Sequence, residues 1–263
     1  MNCKKVTKYI TNWLIKKLNT SKQKGFVIGI SGGIDSAVTS ALCAGTNFPV
    51  IVLSMPIFQN KEQYELSIEH INWLKKKFKN VSSHTIDMSG VFSELIGNLP
   101  EIAKGELALA NIRSRLRMVT LYAFANTNNY LVCGTGNKIE DFGVGFFTKY
   151  GDGGVDINPI GDLLKSEVYA LGKFLDVPIS IQKAAPTDGL WEIDKCDEEQ
   201  IGATYNELEW AMNYCKKNKL NSLPEIKKNK LTKKQVAILN IYITRHNCNK
   251  HKVKVPDVCK IKL

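Results

Sequence analysis

No stretch of this chain approaches the eighteen consecutive apolar residues that a membrane span needs. The first ten residues mix lysine with apolar side chains and lack the apolar run and cleavage site of a secretory signal, so a cytoplasmic protein is expected. The seven cysteines are odd in number and contain no Cys-x-x-Cys, which points to reduced thiols. His246, Cys248, His251 and Cys259 form no spacing that fits a closed structural zinc site. Neither G-x-x-x-x-G-K-[ST] nor G-x-G-x-x-G occurs, which sets aside the two commonest phosphate loops. No Ser/His/Asp or Cys/His arrangement suggests a nucleophilic side chain. Acidic residues are scarce at one end only: residues 216–262 hold 14 Lys or Arg against Glu225 and Asp257, whereas residues 1–215 hold 22 basic and 23 acidic groups. The net charge of +11 therefore belongs to the C-terminal segment. That segment is read as a solvated face that also attracts a polyphosphate ligand, in preference to a nucleic-acid surface.

What is present alternates strand and helix. Residues 4–19 carry apolar side chains at helical spacing. Phe26–Ile30, Val50–Leu53, His84–Ile86 and Tyr130–Cys133 read as short buried strands, with helices over 61–79 and about 105–126 between them. Further helices are expected at 162–175, 198–217 and 231–244. This pattern predicts an α/β protein with a doubly wound parallel sheet and helices on both faces. It predicts one domain over 1–263: an N-terminal helix in 1–24, a nucleotide-binding core over 25–161, and a helical C-terminal part over 162–263. Residues 135–161 hold seven glycines and little periodicity, the mark of a functional loop.

The sharpest chemical signal is Ser31-Gly32-Gly33-Ile34-Asp35-Ser36, between the first strand and the following helix. Two glycines allow a tight turn and a close approach of backbone to ligand. The helix start offers amides backed by the positive end of the macrodipole. Ser31 and Ser36 add hydroxyls. Asp35 would repel phosphate unless a cation lies between them, which suggests Mg²⁺. The loop resembles the pyrophosphate loop of the N-type ATP pyrophosphatases, a superfamily with an adenine nucleotide alpha-hydrolase-like, Rossmann-like fold that cuts ATP between the α- and β-phosphates.

Three more segments narrow the resemblance. Asn111-Ile112-Arg113-Ser114-Arg115-Leu116-Arg117-Met118 places Arg113 and Arg117 on one helix face and Arg115 on another. Gly134-Thr135-Gly136-Asn137-Lys138-Ile139-Glu140 leaves the fourth strand at the sheet edge where ligands bind in such folds. It runs on through Gly145-Phe146-Phe147-Thr148-Lys149-Tyr150-Gly151-Asp152-Gly153-Gly154-Val155-Asp156. Together with Asp162-Leu163-Leu164-Lys165, Pro186-Thr187 and His251-Lys252, these segments resemble the ammonia-dependent NAD synthetases over about residues 25–256. One residue more separates Glu140 from Lys149 than in the familiar form of that signature.

The resemblance implies ATP-dependent amidation of deamido-NAD through an acyl adenylate, with ammonia as nitrogen source and AMP and pyrophosphate released. It implies ATP contacts from Gly29, Ile30, Ser31, Gly32, Gly33, Ile34, Asp35, Ser36, Thr135, Lys165 and Thr187. Deamido-NAD would lie on Arg115, Lys149, Asp156, His251 and Lys252, and Mg²⁺ on Asp35 and Glu140. A homodimer is expected, with the N-terminal helix as a contributor to its interface. No glutaminase domain is expected, so free ammonia or a separate donor protein would supply the nitrogen. The competing readings are a tRNA-modifying pyrophosphatase, a non-catalytic ATP-binding module and a nucleic-acid-binding protein carried by its basic tail.

Overall fold

A computed structural model describes residues 1–187, 189–191, 196–220, 222 and 231–261. Four parallel strands form one sheet in the order β3-β2-β1-β4: β1 (Gly25–Gly29), β2 (Val50–Ser54), β3 (Val81–Thr85) and β4 (Tyr130–Val132). Val27 lies opposite Ile51 on one side and Val132 on the other. Successive side chains of a strand face opposite ways. Phe26 and Ile28 accordingly join a core with Leu14, Leu42, Leu74 and Leu171, while Val27 joins Leu53, Phe92 and Ala125 on the opposite face. The first core is covered by α1 (Cys3–Ser21), α2 (Ile34–Ala44), α3 (Lys61–Lys77) and, from beyond the sheet in sequence, α6 (Lys165–Phe174). The second is covered by α4 (Ser89–Gly97) and α5 (Glu106–Asn128).

Helices on both faces of a parallel sheet agree with the sequence pattern, with instructive differences. The third strand starts at Val81, ahead of the expected His84. It is an edge strand, Val-Ser-Ser-His-Thr, with one side open to water, so no apolar run announces it. α4 leaves no clear trace in the sequence because it is short and buries one residue fully, Phe92, with Ile96 half-buried beside that core. The apolar stripe of α1 is spent inward, with Ile10, Leu14 and Leu18 buried.

Past the sheet, α6 (Lys165–Phe174) and α7 (Ile179–Lys183) return to the first core. The single helix expected over 198–217 is two: α8 (Asp197–Ile201) and α9 (Tyr205–Asn218). Gly202 ends the first at φ +88°, a left-handed conformation suited to glycine. Thr204 then starts the second, its hydroxyl accepting from Glu207 N at 3.3 Å while Glu207 reaches back to Thr204 N at 2.9 Å. α9 and α10 (Lys233–Asn249) pack with α8 and with Ile139 and Val144 into a third apolar cluster built around Leu208, Leu239 and Tyr242.

Candidate active site

The strand order puts the carboxyl ends of β1 and β4 side by side at the point where the order reverses, with β2 and β3 on the far side of β1, the crevice where ligands bind in open α/β sheets. From β1 comes the loop 30–33. Gly32 sits at φ +90°, and a Cβ there would stand 2.8 Å from Gln63 O, so both its conformation and its packing against α3 require glycine. Gly33 caps α2 without a side-chain bond, leaving the first-turn amides to a ligand. The two serines hold the loop itself: Ser31 Oγ and Ser36 Oγ lie 3.2 Å apart, and Ser36 Oγ donates to Gly33 O at 3.0 Å.

From β4 comes Gly134–Asn137 and then a π-helical turn, Lys138–Val144, capped by Asn137, whose Oδ1 accepts from Ile139 N and Glu140 N. A π turn is an α-helical turn widened by one residue, and such turns recur at functional sites. The turn brings in Asp141, whose carboxylate lies over Gly136, where a Cβ would collide with it, and accepts from Asn158 Nδ2 at 2.8 Å. Burial, then the neighbouring Asp152 and Glu140, push the Asp141 carboxyl well above its usual range.

Lys165, the first residue of α6, joins the two loops. Its Nζ lies 2.6 Å from Asp35 Oδ2 and 2.9 Å from Glu140 Oε1, with its side chain 4% exposed. Asn137 Nδ2 holds the other Asp35 oxygen at 3.1 Å. Burial works against the ammonium, but the two acids outweigh it and hold the Lys165 pKa above its ordinary value. Burial pushes Asp35 upward. Glu140, despite burial, is held below the usual range by Lys165 and by the Tyr205 hydroxyl. Two carboxylates thus converge on one cationic position. Hard oxygen ligands of this kind suit Mg²⁺, which takes one or two carboxylates and completes its shell with phosphate and water. Among the described residues no group of three or more His, Cys, Asp or Glu is placed to hold a metal ion, so protein side chains would supply only part of such a shell.

Two cavities meet at this place. The first, about 240 Å³, is lined by Gly29, Ile30, Ser31, Gly33, Ile34, Asp35, Ser36, Thr135, Glu140, Lys165 and Thr187. Of the expected ATP contacts only Gly32 is outside its wall, turned toward α3. The second, about 890 Å³, is lined by Arg115, Lys149, His251 and Lys252 together with Arg245 and Trp191. Lys149 Nζ donates to His251 O at 2.9 Å, and Lys252 Nζ donates to Gly145 O and Phe147 O at 2.8 and 2.9 Å. Burial lowers the Lys252 pKa from its ordinary value. Phe146, Asp152 and Leu190 line both cavities.

Asp156 is not brought to either wall: its oxygens accept from Tyr122 OH at 3.0 Å and Val132 N at 2.8 Å, beside β4. The arginines divide as their spacing foretold. Arg117 faces the first cavity, donating to Met55 O at 3.0 Å, and Arg115 faces the second. The basic segment is represented at the second cavity by Arg245, His251 and Lys252. Residues 221 and 223–230, which supply part of its charge, lie outside the described residues, as does Asp188 of the Pro186–Leu190 segment.

Sequence reasoning missed Asn137, Asp141, Asp152 and Tyr205 as members of the site. For Tyr205 a signal existed: Thr-x-x-Glu at 204–207 marks a helix start and fixes which residues begin α9. For the others the contacts come from loop geometry and left none.

A doubly wound sheet with an anion-cradling glycine loop and paired acids at its switch point defines a nucleotide-binding protein of the adenine nucleotide alpha-hydrolase type. The NAD synthase family model matches residues 6–256, and the chain belongs to that family. An NH(3)-dependent NAD(+) synthetase of Carboxydothermus hydrogenoformans is 40% identical over 214 residues, covering 80% of this chain and 85% of its own. Among solved structures, an NMN synthetase from Francisella tularensis superposes with a TM-score of 0.84 at 32% identity, covering 99% of this chain and 100% of that one. An NH3-dependent NAD synthetase from Campylobacter jejuni gives 0.78 at 28% identity, with 99% and 100% covered.

Proposed function

We propose that the protein amidates deamido-NAD to NAD with ammonia at the expense of ATP, passing through an acyl adenylate and releasing AMP and pyrophosphate. The observation that carries this reading is the junction of the two cavities, an anion cradle on one side and a cationic wall on the other. Ammonia does not displace oxide from a carboxylate, so the carboxylate must first become a good acyl donor. In the proposal the nicotinate carboxylate attacks the α-phosphorus of ATP. The α2 amides and Lys165 hold the phosphates, and Arg115, Lys149, His251 and Lys252 hold the dinucleotide. Mg²⁺ held by Asp35 and Glu140 would offset the charge of the leaving pyrophosphate. Ammonia then attacks the acyl carbon and AMP departs. Catalysis of this kind rests on positioning and electrostatics, and no nucleophilic side chain is required.

The comparisons name NAD and NMN synthetases and do not favour a tRNA-modifying reading. The Francisella likeness does favour a second acceptor, the mononucleotide counterpart of deamido-NAD. The 890 Å³ of the second cavity, ample for a dinucleotide, weighs toward the first. A homodimer belongs to the proposal. Its support is the apolar surface left on α5, where Leu107 and Val119 are exposed, and sedimentation velocity tests it. A cytoplasmic location follows from the substrates and is tested by cell fractionation.

The deciding experiment incubates the protein with ATP, Mg²⁺, ammonium chloride and either deamido-NAD or nicotinate mononucleotide. Equal yields of NAD and AMP, lost in Asp35→Ala and Glu140→Ala, are expected. A kcat/KM higher for the mononucleotide would transfer the function to that acceptor. AMP formed only with tRNA would overturn both.

A further inference from the structure

The ammonium of Lys165 is bonded to the same two carboxylates that the proposed function gives to Mg²⁺. It is not a passing surface contact. Lys165 begins α6 behind Leu164, whose amide is held by Glu167 Oε2 at 3.0 Å, so the backbone beneath the lysine is fixed. The ammonium also lies 4.7 Å from the centre of the Tyr205 ring, which the hydroxyl bond to Glu140 keeps in place. One ammonium against two carboxylates leaves a residual negative charge, so the pair still attracts a divalent cation. The ammonium already takes the place between the two acids that a shared metal ion would occupy, and two cations drawn to one pair at this range repel, so they compete.

We propose that Lys165 acts as an internal placeholder cation, competing with Mg²⁺ for Asp35 and Glu140 until phosphate groups at the α2 N-terminus draw its ammonium away. This rests on the assignment of Asp35 and Glu140 as the Mg²⁺ pair. Lys165 stays protonated throughout and only changes its anionic partner, from two carboxylates to phosphate oxygens. Two consequences follow. Free divalent cation binds the protein weakly without nucleotide, and metal and nucleotide enter together. The carboxylates are meanwhile kept apart and oriented, so that the site needs little rearrangement when the phosphates arrive.

Mn²⁺ replaces Mg²⁺ as a probe, with the bound fraction read from loss of the free-ion EPR signal. Lys165→Met is expected to bind one Mn²⁺ without nucleotide at least ten-fold more tightly than wild type, and Lys165→Met with Asp35→Asn is expected to lose that gain. Equal Mn²⁺ affinity of wild type and Lys165→Met would overturn the proposal. Should Lys165→Met fail to fold, wild-type protein is acylated with acetic anhydride across a Mn²⁺ titration and Lys165 is followed by mass spectrometry. Displacement predicts at least a five-fold rise in Lys165 labelling as Mn²⁺ binds; constant labelling while EPR records one bound ion would refute it. NAD formation is assayed on the untreated wild-type protein. A protein that makes NAD yet shows no competition defeats the placeholder alone, whereas one that makes none defeats the function on which it rests.

Discussion

The Tyr205 hydroxyl donates to Glu140 Oε1 at 2.5 Å, and the same oxygen accepts from Lys165 Nζ at 2.9 Å. A residue at the start of α9 thus fixes a carboxylate on the π turn that follows β4. Burial, with the charges of Glu140 and Asp197, keeps the phenol protonated, so that toward these carboxylates it is the donor. Tyr205→Phe retains the ring beneath Lys165 and removes the donor. Hydrogen bonds to charged groups contribute about 1.5–3 kcal/mol, so kcat/KM is expected to fall roughly 10- to 100-fold. The Mg²⁺ concentration for half-maximal rate should rise at the same time. A lowered melting temperature with unchanged Mg²⁺ dependence would show the bond to be structural only.

Asp141 is a carboxyl held out of its preferred charged state. Its pKa is raised in the fold, so its contribution favours the folded state below its unfolded value near 3.8 and is lost as pH rises through the folded value. Asp141→Asn keeps an acceptor for Asn158 and removes that penalty. The variant should melt higher than wild type, by a margin that grows with pH above 4, as differential scanning calorimetry at pH 5, 6.5 and 8 would reveal.

His70 works in the opposite direction. It is fully buried on α3, with Nε2 2.8 Å from Ser40 Oγ and its ring stacked on Trp73 at 5.4 Å. Burial pushes its pKa down to about 3. The unfolded chain takes up this proton near pH 6.5 while the folded one does not, so stability present above 6.5 is lost as pH falls toward 3. Between pH 6.5 and 5 the loss from this group is about 2 kcal/mol. Urea melts should show that difference between wild type and His70→Gln, and parallel pH profiles for the two would refute it.

Gly32→Ala places a methyl 2.8 Å from Gln63 O at a φ of +90°. Strain of this kind costs about 1–3 kcal/mol. Because the loop carries the cradle, ATP affinity measured by calorimetry should fall more than global stability does.

Lys149→Ala and Lys252→Ala alter the second cavity and leave the first intact. Each should raise KM for deamido-NAD, by roughly ten-fold for one charge-assisted contact, with KM for ATP unchanged. Equal effects on both substrates would mean that the cavities do not divide them as proposed.

Local pattern was enough to find β1, β2 and β4, because buried strands are short apolar runs, and to find the 31–36 loop, because its glycines and its place between strand and helix are adjacent in sequence. The split of Arg115 from Arg113 and Arg117 was also legible, since helical spacing alone sets it. The start of β3 is hard to see because an open edge does not demand apolar residues, and the break between α8 and α9 rests on the left-handed Gly202 and the Thr204 cap, which the pattern over 198–217 does not announce.

The doubly wound class and the cradle at the end of β1 are legible in the residues themselves, while Arg115, Lys149, His251 and Lys252 stand out through the family resemblance. What those groups meet depends on the packed fold. Lys165 and Asp35 are 130 residues apart and Tyr205 and Glu140 are 65 apart, and each pair is joined only after strands, π turn and C-terminal helices have packed. Asp141 enters the site, and Asp156 turns to Tyr122 and Val132, for the same reason. Periodicity fixes which face of an element is buried; the path of the loops between elements fixes which charges share a cavity.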